Sequence, residues 1–409
     1  MTSADPTSLS LATILEVDDP NARYDVYREM REDHPVRWDP DWSTWLITGY
    51  AEAAAALHDP RITAARFAMN VGWLPPEAQA TLEPVLRALQ RQMLFVDGQD
   101  HARLRSLANK AFTPRVVESM RERIQTLVDQ LLDDAAERGR MDVVTDLADP
   151  VPLTVIGELL GVPTADNPML KRWSDHFAAF LDGSTLTPET AAQALQSIGE
   201  FMVYFRRLTL SRRGAPRADL LQALADAEVE GDRLSEDELL ANCVLLLAAG
   251  HETTTNLIAN GLLALLQHRE QLEALRDEPS LLPGAVNELL RFESPVQQTE
   301  RLALDAAELG GVEIAAGQLI LIILGAANRD PRAFADPNRL DIRRQGPAHL
   351  AFGYGRHFCL GAALARMEGQ IAIGSAIRRF PTMRLQDDEP RWKRSLLFRS
   401  LATLPIILA

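Results

Sequence analysis

Apolar residues recur at three- and four-residue spacing, with polar faces between them, across residues 20–33, 50–58, 99–111, 114–137, 166–182, 187–211, 235–268, 282–292 and 360–379. That period marks a helix with one buried face, so each segment predicts an amphipathic helix. Strand-like pieces are short: residues 36–38 and 44–48, several between 296 and 322, and the stretch 396–408. Local signals agree with these boundaries. Thr113-Pro114 opens one helix, Ser235 followed by Glu238 makes a capping box for another, and Arg213-Gly214-Ala215-Pro216 is a loop. The expected fold class is mainly α with small β-sheets (α+β), fed by both ends of the chain. The chain has no internal repeat, low-complexity tract or Gly/Ser linker, which predicts a single domain over 1–409, with 1–19 as an N-terminal extension.

The segment 235–268 is the longest, and at about 1.5 Å per residue it would cross a whole domain. Its middle reads LLLAAGHETTTN, where Gly250 and three successive threonines weaken a helix. A mid-helix threonine returns its hydroxyl to the carbonyl four residues back, which for Thr253 is Ala249. A helix that opens at Gly250 would leave a groove there.

Charge narrows the function. Forty-two Lys plus Arg against 57 Asp plus Glu leave a formal charge of −15, which repels phosphate backbones and anionic membranes. The start, MTSADPTSLSLATILEVDDP, has no Lys or Arg and no long apolar run, so no secretory signal or presequence is expected. Apolar runs such as VLLLAAG and LILIILGAA fall short of the roughly 20 residues that span a bilayer. A cytoplasmic protein is the expectation. Two cysteines, Cys243 and Cys359, cannot build a disulfide framework. Cys243 lies on an apolar stretch and reads as core.

Cys359 is different. It sits in FGYGRHFCLG, where glycines let the main chain approach a thiolate and Arg356 and His357 add cationic character. With no CxxC and no second thiol nearby, zinc and iron–sulfur sites fit poorly. Nucleophilic catalysis by Cys359 with His357 as base is the less favoured alternative.

The pattern F-G-x-G-x-H-x-C-x-G resembles the haem-binding loop of the cytochrome P-450 monooxygenases, matched here by Phe352, Gly353, Gly355, His357, Cys359 and Gly361. The resemblance runs from about residue 20 to the C-terminus. It implies the fold of that family, with the helix 235–268 over the haem, and haem b as cofactor with Cys359 as its axial thiolate. It implies Glu252 and Thr253 as the acid and alcohol that deliver protons during oxygen activation, with Ala249, Gly250 and Leu94 against the cofactor. DGQDHARLR places His101 and Arg105 four apart on one helical face, and with Arg301 and His357 they resemble the family's propionate-binding set.

E-x-x-R occurs five times, at Glu118, Glu137, Glu230, Glu273 and Glu288, and most such pairs are solvated ion pairs of small energy. Only Glu288 with Arg291 stands where the family has its buried bridge, with Arg339 of FADPNRL as the expected third member. This set is structural. Ser400 replaces a glycine frequent in the family.

The resemblance implies a monooxygenase that inserts one atom of O2 into a C–H bond of a hydrophobic small molecule: a terpenoid, steroid, macrolide or polyketide, or fatty acid. Pocket candidates are Trp73, Met93, Phe95, Leu246, Val296, Gln297, Leu397 and Phe398, with Gln297 available to a polar group. Electrons are expected from a separate ferredoxin and its reductase, and Arg103, Lys110, Arg115 and Arg356 offer a docking face. Two alternatives differ in testable ways. A peroxide-dependent fatty-acid peroxygenase would lack the acid–alcohol pair, and a non-enzymatic haem sensor would need an output domain.

Overall fold

The computed structural model of the chain describes residues 9–17, 21–65, 87–184, 187–212, 217, 219–229, 231–386 and 390–408. It divides into two compact units that share the chain in alternation. The first takes Met1–Thr63, Ala259–Cys359 and Arg384–Leu404, and the second Ala64–Ile258, Leu360–Met383 and Pro405–Ala409.

The first unit is built on a five-stranded sheet in the order Val36–Asp39, Thr44–Ile47, Leu319–Ile322, Thr299–Ala303, Ile62–Thr63. Thr44–Ile47 and Leu319–Ile322 run parallel, and the other neighbours are antiparallel. Side chains alternate across a strand, and here both faces are covered. Val36, Ile47, Ile320 and Ile322 pack with Ala53, Ala56 and Leu57 of the Tyr50–His58 helix. Leu46 and Leu321 pack the other way, against Leu11 and Ile14 of Leu11–Glu16 and Val26, Tyr27 and Met30 of Arg23–Asp33. Two-sided burial is why LILI at 319–322 is apolar throughout.

The second unit is helical. Asn167–Asp182 and Pro188–Ser211 lie together through Trp173 and Phe201, whose ring centroids are 4.9 Å apart. Ala362–Arg379 contributes one almost wholly buried helix. Its strand pairings include Arg140–Asp142 with Pro405–Ile407 and Glu228–Val229 with Asp232–Arg233, both antiparallel. The helix Glu236–Gln267 runs 32 residues, beginning in the second unit and ending in the first. Its capping box is present: Glu238 N–H donates to Ser235 Oγ at 3.3 Å, and Ser235 N–H to Glu238 Oε2 at 2.9 Å. Among the described residues, no helix is long and apolar enough to cross a membrane.

Two expectations change. Residues 114–137 form two helices, Pro114–Ser119 and Arg121–Arg138, because the Met120 amide turns back to Val117 O at 3.1 Å. A helix at Pro150–Leu159 carries no amphipathic signal, since Val151 to Gly157 are all buried and leave no polar face to set a period. Its two prolines suppress a helix reading, yet Pro150 sits in the first turn, where a missing N–H costs nothing.

Candidate functional site

The cysteine loop in the first unit is shaped by two glycines. Gly353 and Gly355 adopt φ of +70° and +69°, the left-handed region where a side chain is strained. A Cβ on Gly355 would also stand 2.9 Å from the carbonyl oxygen of Leu57. The folded loop closes on itself: Gly353 N–H donates to Leu350 O at 2.8 Å, Phe358 N–H to Gly355 O at 3.1 Å and Cys359 N–H to Phe352 O at 2.9 Å. His357 ends the 3-10 turn Gly355–His357. Phe352 lies with its ring 6.3 Å from that of Phe358.

The two thiols stand in contrasting surroundings. Cys243 is fully buried, and burial pushes its thiol up to about 12, so it stays protonated at neutral pH. Cys359 is only partly buried. The donor set for a soft metal centre therefore reduces to Cys359, in a loop free of competing carboxylates, which fits a thiolate-ligated iron porphyrin.

Behind the loop, Glu288 and Arg291 form a buried bidentate pair, with Arg291 Nε 2.7 Å from Glu288 Oε2 and Nη2 2.8 Å from Oε1. The third member is Arg344, whose Nε donates to Glu288 Oε1 at 3.0 Å. This corrects the expectation for Arg339, whose side chain is exposed and which lends only its carbonyl to Arg291 and Arg344. Arg291 Nη1 also donates to Asn328 O at 2.9 Å, while Asn328 Oδ1 accepts from Leu350 N–H at 2.7 Å. Asn328 thus ties the ion pair to the root of the cysteine loop. Glu118 and Arg121, a further copy of the same spacing, are an exposed pair.

Arg301 is buried on Thr299–Ala303 and donates to Thr299 Oγ1 at 2.7 Å and Glu300 O at 2.8 Å. Val296 pairs with Phe398 through an isolated bridge, and Gln297 N–H donates to Leu397 O at 2.7 Å, so four pocket candidates meet here. Gln297, however, is fully buried. Its amide Nε2 donates to Ser294 O at 2.7 Å and its side chain occupies the space that Gly325 leaves open. It braces this turn, in contrast to the expected contact with a ligand.

The long helix, which belongs to the second unit up to Ile258, carries an unusual burial pattern. From Leu239 to Leu265 every residue is buried except Leu246, Ala249, Gly250 and Thr253. At 100° per residue these four fall within about 100° of the helix circumference. One narrow stripe of mostly small residues is accessible on an otherwise core helix. The helix continues unbroken through Gly250, where a Cβ would meet Ile156 Cγ1 at 3.3 Å. At Gly250 the long helix packs closely on Ile156. Thr253 Oγ1 donates to Ala249 O at 2.7 Å. Glu252 is buried, and Asn256 Nδ2 donates to its Oε1 at 3.4 Å.

His101 is buried in the first turn of Gly98–Ala111, one turn before the half-buried Arg105. Met93 and Phe95 are buried and Leu94 half-buried. Asn242 on the long helix holds this segment, accepting from Met93 N–H at 2.9 Å and donating to Arg91 O at 3.0 Å. Gly361 belongs to this unit, just before Ala362–Arg379. Trp73 lies outside the described residues. Of the four cations read as a docking face, Arg103 is ion-paired with Glu238 and Asp232, Lys110 donates to Glu228 O at 2.6 Å and Arg356 to Asp59 O at 2.8 Å. Arg115 is exposed. Asn242, Asn328 and Arg344 carry no motif and were missed; only the paired arginines of DIRR hinted at the last.

Comparison with known proteins adds independent evidence. The family model described as Cytochrome P-450 matches residues 77–405. Cytochrome P-450 107B1 of Saccharopolyspora erythraea is 44% identical over 417 residues, covering 98% of this chain and 99% of that protein. The 6-deoxyerythronolide B hydroxylase of the same organism is 40% identical over 395 residues, covering 94% and 96%. The crystal structure of P-450 BioI in complex with hexadec-9Z-enoic acid ligated acyl carrier protein superposes with a TM-score of 0.89 at 37% identity, covering 97% of this chain and 99% of that one.

Proposed function

The chain belongs to the cytochrome P-450 family, and from that premise we propose that it hydroxylates a bulky hydrophobic molecule of the macrolide or fatty-acyl class, with Cys359 as axial ligand. It is a haem-thiolate monooxygenase, and it uses O2, a hydrophobic substrate and electrons from a redox partner. The bound haem supplies oxygen activation: one oxygen atom enters a C–H bond, and the other leaves as water with two electrons and two protons.

The observation that carries this reading is the accessible stripe Leu246, Ala249, Gly250 and Thr253. Small side chains on one face of a rigid, buried helix leave room for a flat cofactor and a substrate, and the rest of the helix cannot shift without breaking the core. Thr253 holds a hydroxyl at that face, and Glu252, buried next to it in sequence, holds a carboxyl, to pass protons. His101, Arg105, Arg301 and His357 hold the propionates. Val296, Leu397 and Phe398 exclude water and orient an apolar skeleton. The hydroxylase relative and the acyl-bound neighbour support the choice among hydrophobic classes. A ferredoxin with its reductase is the proposed electron source.

The test is the carbon monoxide difference spectrum of the reduced protein, followed by titration with macrolide, fatty-acyl and steroid ligands. A thiolate signature that persists in Cys243→Ala and is lost in Cys359→Ser is expected, with a water-displacement shift for macrolides or acyl chains. A thiolate signature in Cys359→Ser, or a shift for steroids alone, overturns the corresponding part.

A further inference from the structure

Within the second unit, His251 is completely buried and belongs to no part of the machinery described so far. Its Nδ1 lies 3.1 Å from Ser174 Oγ. Its Nε2 has no hydrogen-bond partner among the described residues and lies 3.5 Å from Asp149 Oδ1. That gap is long for a good hydrogen bond, and a buried ring nitrogen left without one asks for a reason. One nitrogen of this ring, a carboxylate oxygen of Asp175 and one of Glu252 all lie within 4.8 Å of one another.

This donor set differs in kind from the thiol of Cys359. A metal-ligating histidine gives the metal one nitrogen while the other is fixed by a hydrogen bond, and Ser174 Oγ can accept that bond from Nδ1–H. The lone pair of Nε2 then faces a carboxylate, and two such electron-rich atoms call for a cation beside them. Burial by itself would raise the Asp149 carboxyl, but His251 and Lys171 hold it far below the usual carboxylate range. The charged groups facing His251 are Asp149 from just before Pro150–Leu159, Lys171 and Asp175 from Asn167–Asp182, and Glu252 from its own helix.

Three carboxyl groups thus meet one ammonium. Lys171 Nζ sits 3.0 Å from Asp149 Oδ2 and 3.0 Å from Asp175 Oδ2, so a dication must compete with it for Asp175. Both side chains can yield, since Lys171 is 36% exposed and Asp175 40% exposed, and the same exposure gives an entry path from solvent. An imidazole with carboxylates suits zinc, whereas magnesium prefers oxygen ligands and keeps several waters.

We propose that His251 Nε2, Asp175 and Glu252 form a binding site for a zinc-type divalent cation, with Ser174 and Asp149 orienting the ring and Lys171 as a competitor built into the site. Binding exchanges the ammonium at Asp175 for the metal ion and releases any proton carried by the three ligands. The metal then holds the Glu252 carboxyl, and its inhibition of turnover rests on the reading of Glu252 as proton donor.

The experiment titrates zinc chloride into the chelator-washed holoenzyme by calorimetry, with zinc per chain counted after equilibrium dialysis. Wild type, His251→Gln, Asp175→Asn and Lys171→Met are compared, with thermal unfolding as a check on folding and magnesium chloride as the control ion. The site predicts one zinc ion per chain in wild type beyond any held by His251→Gln. It predicts affinity weaker by roughly ten-fold or more in Asp175→Asn, a substitution at a partly exposed position, and tighter binding in Lys171→Met. Affinity should fall from about pH 8 to about pH 6, because protons compete for the imidazole. Unchanged zinc binding in both His251→Gln and Asp175→Asn overturns the site, as does weaker binding in Lys171→Met or equal binding of magnesium. Product per electron pair consumed is measured in the same samples. Unchanged coupling at saturating zinc removes the inhibitory consequence and the reading of Glu252 beneath it, while the calorimetry still decides the site.

Discussion

The Thr253 hydroxyl donates to the Ala249 carbonyl at 2.7 Å, closing a helical turn on the one face of the long helix that is not buried. Thr253→Ala removes that hydroxyl and leaves the apolar ligand contacts in place. Product formed per electron pair is expected to fall roughly ten-fold, with peroxide released in its place and the ligand-induced spectral shift unchanged. Thr253→Ser, which keeps the hydroxyl, is expected to recover most of the coupling. Equal coupling in the alanine variant and wild type would remove Thr253 from proton delivery.

The Glu288, Arg291 and Arg344 cluster predicts a graded series. Arg291→Ala removes the bidentate partner of a buried carboxylate and leaves only the Arg344 and Asp341 contacts at Glu288 Oε1, which should cost about 3–5 kcal/mol. Arg344→Ala, which leaves the bidentate pair intact, should cost about 1–3 kcal/mol. Arg339→Ala, whose exposed side chain takes no part, should stay within about 0.5 kcal/mol. Urea unfolding with haem retention as a second probe ranks the three. A loss at Arg339 as large as at Arg344 would contradict the assignment of the third arginine.

Glu368 is buried in Ala362–Arg379, its Oε2 has no hydrogen-bond partner among the described residues, and burial raises its carboxyl well above the usual range. The native state then binds the proton more tightly than the unfolded chain. This contribution to stability is whole below the unfolded value of about 4.3 and is lost as pH rises toward the native value. Glu368→Gln, neutral at every pH, should gain on wild type by about 1.4 kcal/mol per pH unit across that window. Unfolding free energies of the pair compared from about pH 5 to about pH 8 check the sign. A constant difference would mean that Glu368 ionises freely.

Arg115 lies exposed at the start of Pro114–Ser119, while Arg103 and Lys110 are engaged within the protein. Charge reversal at Arg115 is therefore expected to slow reduction by an acidic ferredoxin, more at low salt than at high salt, with ligand binding intact. Stopped-flow reduction across a salt series reads this directly, and unchanged rates would place the docking surface elsewhere.

What the sequence disclosed depended on how local each signal was. The FGYGRHFCLG loop, the Ser235 capping box and the Thr253 to Ala249 bond are short-range, and residue identity at fixed spacing made them readable. The helix Pro150–Leu159 was invisible because burial on all sides erases the polar face that marks a helix. Arg344 was displaced by Arg339 for another reason: both follow the same Asp-Pro turn, and only the tertiary path decides which side chain reaches Glu288. Gln297 misled because a glutamine beside apolar residues looks ligand-facing, whereas Gly325 lets it turn inward. His251 and Asp149 are about 100 positions apart, and no pattern in either neighbourhood announces that they meet.

Gly250 lets Ile156 approach to 3.3 Å from where its side chain would begin. The neighbouring helix thus presses directly on the backbone at one edge of the accessible face. Substituting Ile156 with valine or leucine would reshape the active surface from behind, altering which carbon of a substrate is oxidised while every residue that touches the substrate keeps its identity. Ile156 is therefore a position outside the predicted pocket set at which a changed product ratio can be looked for.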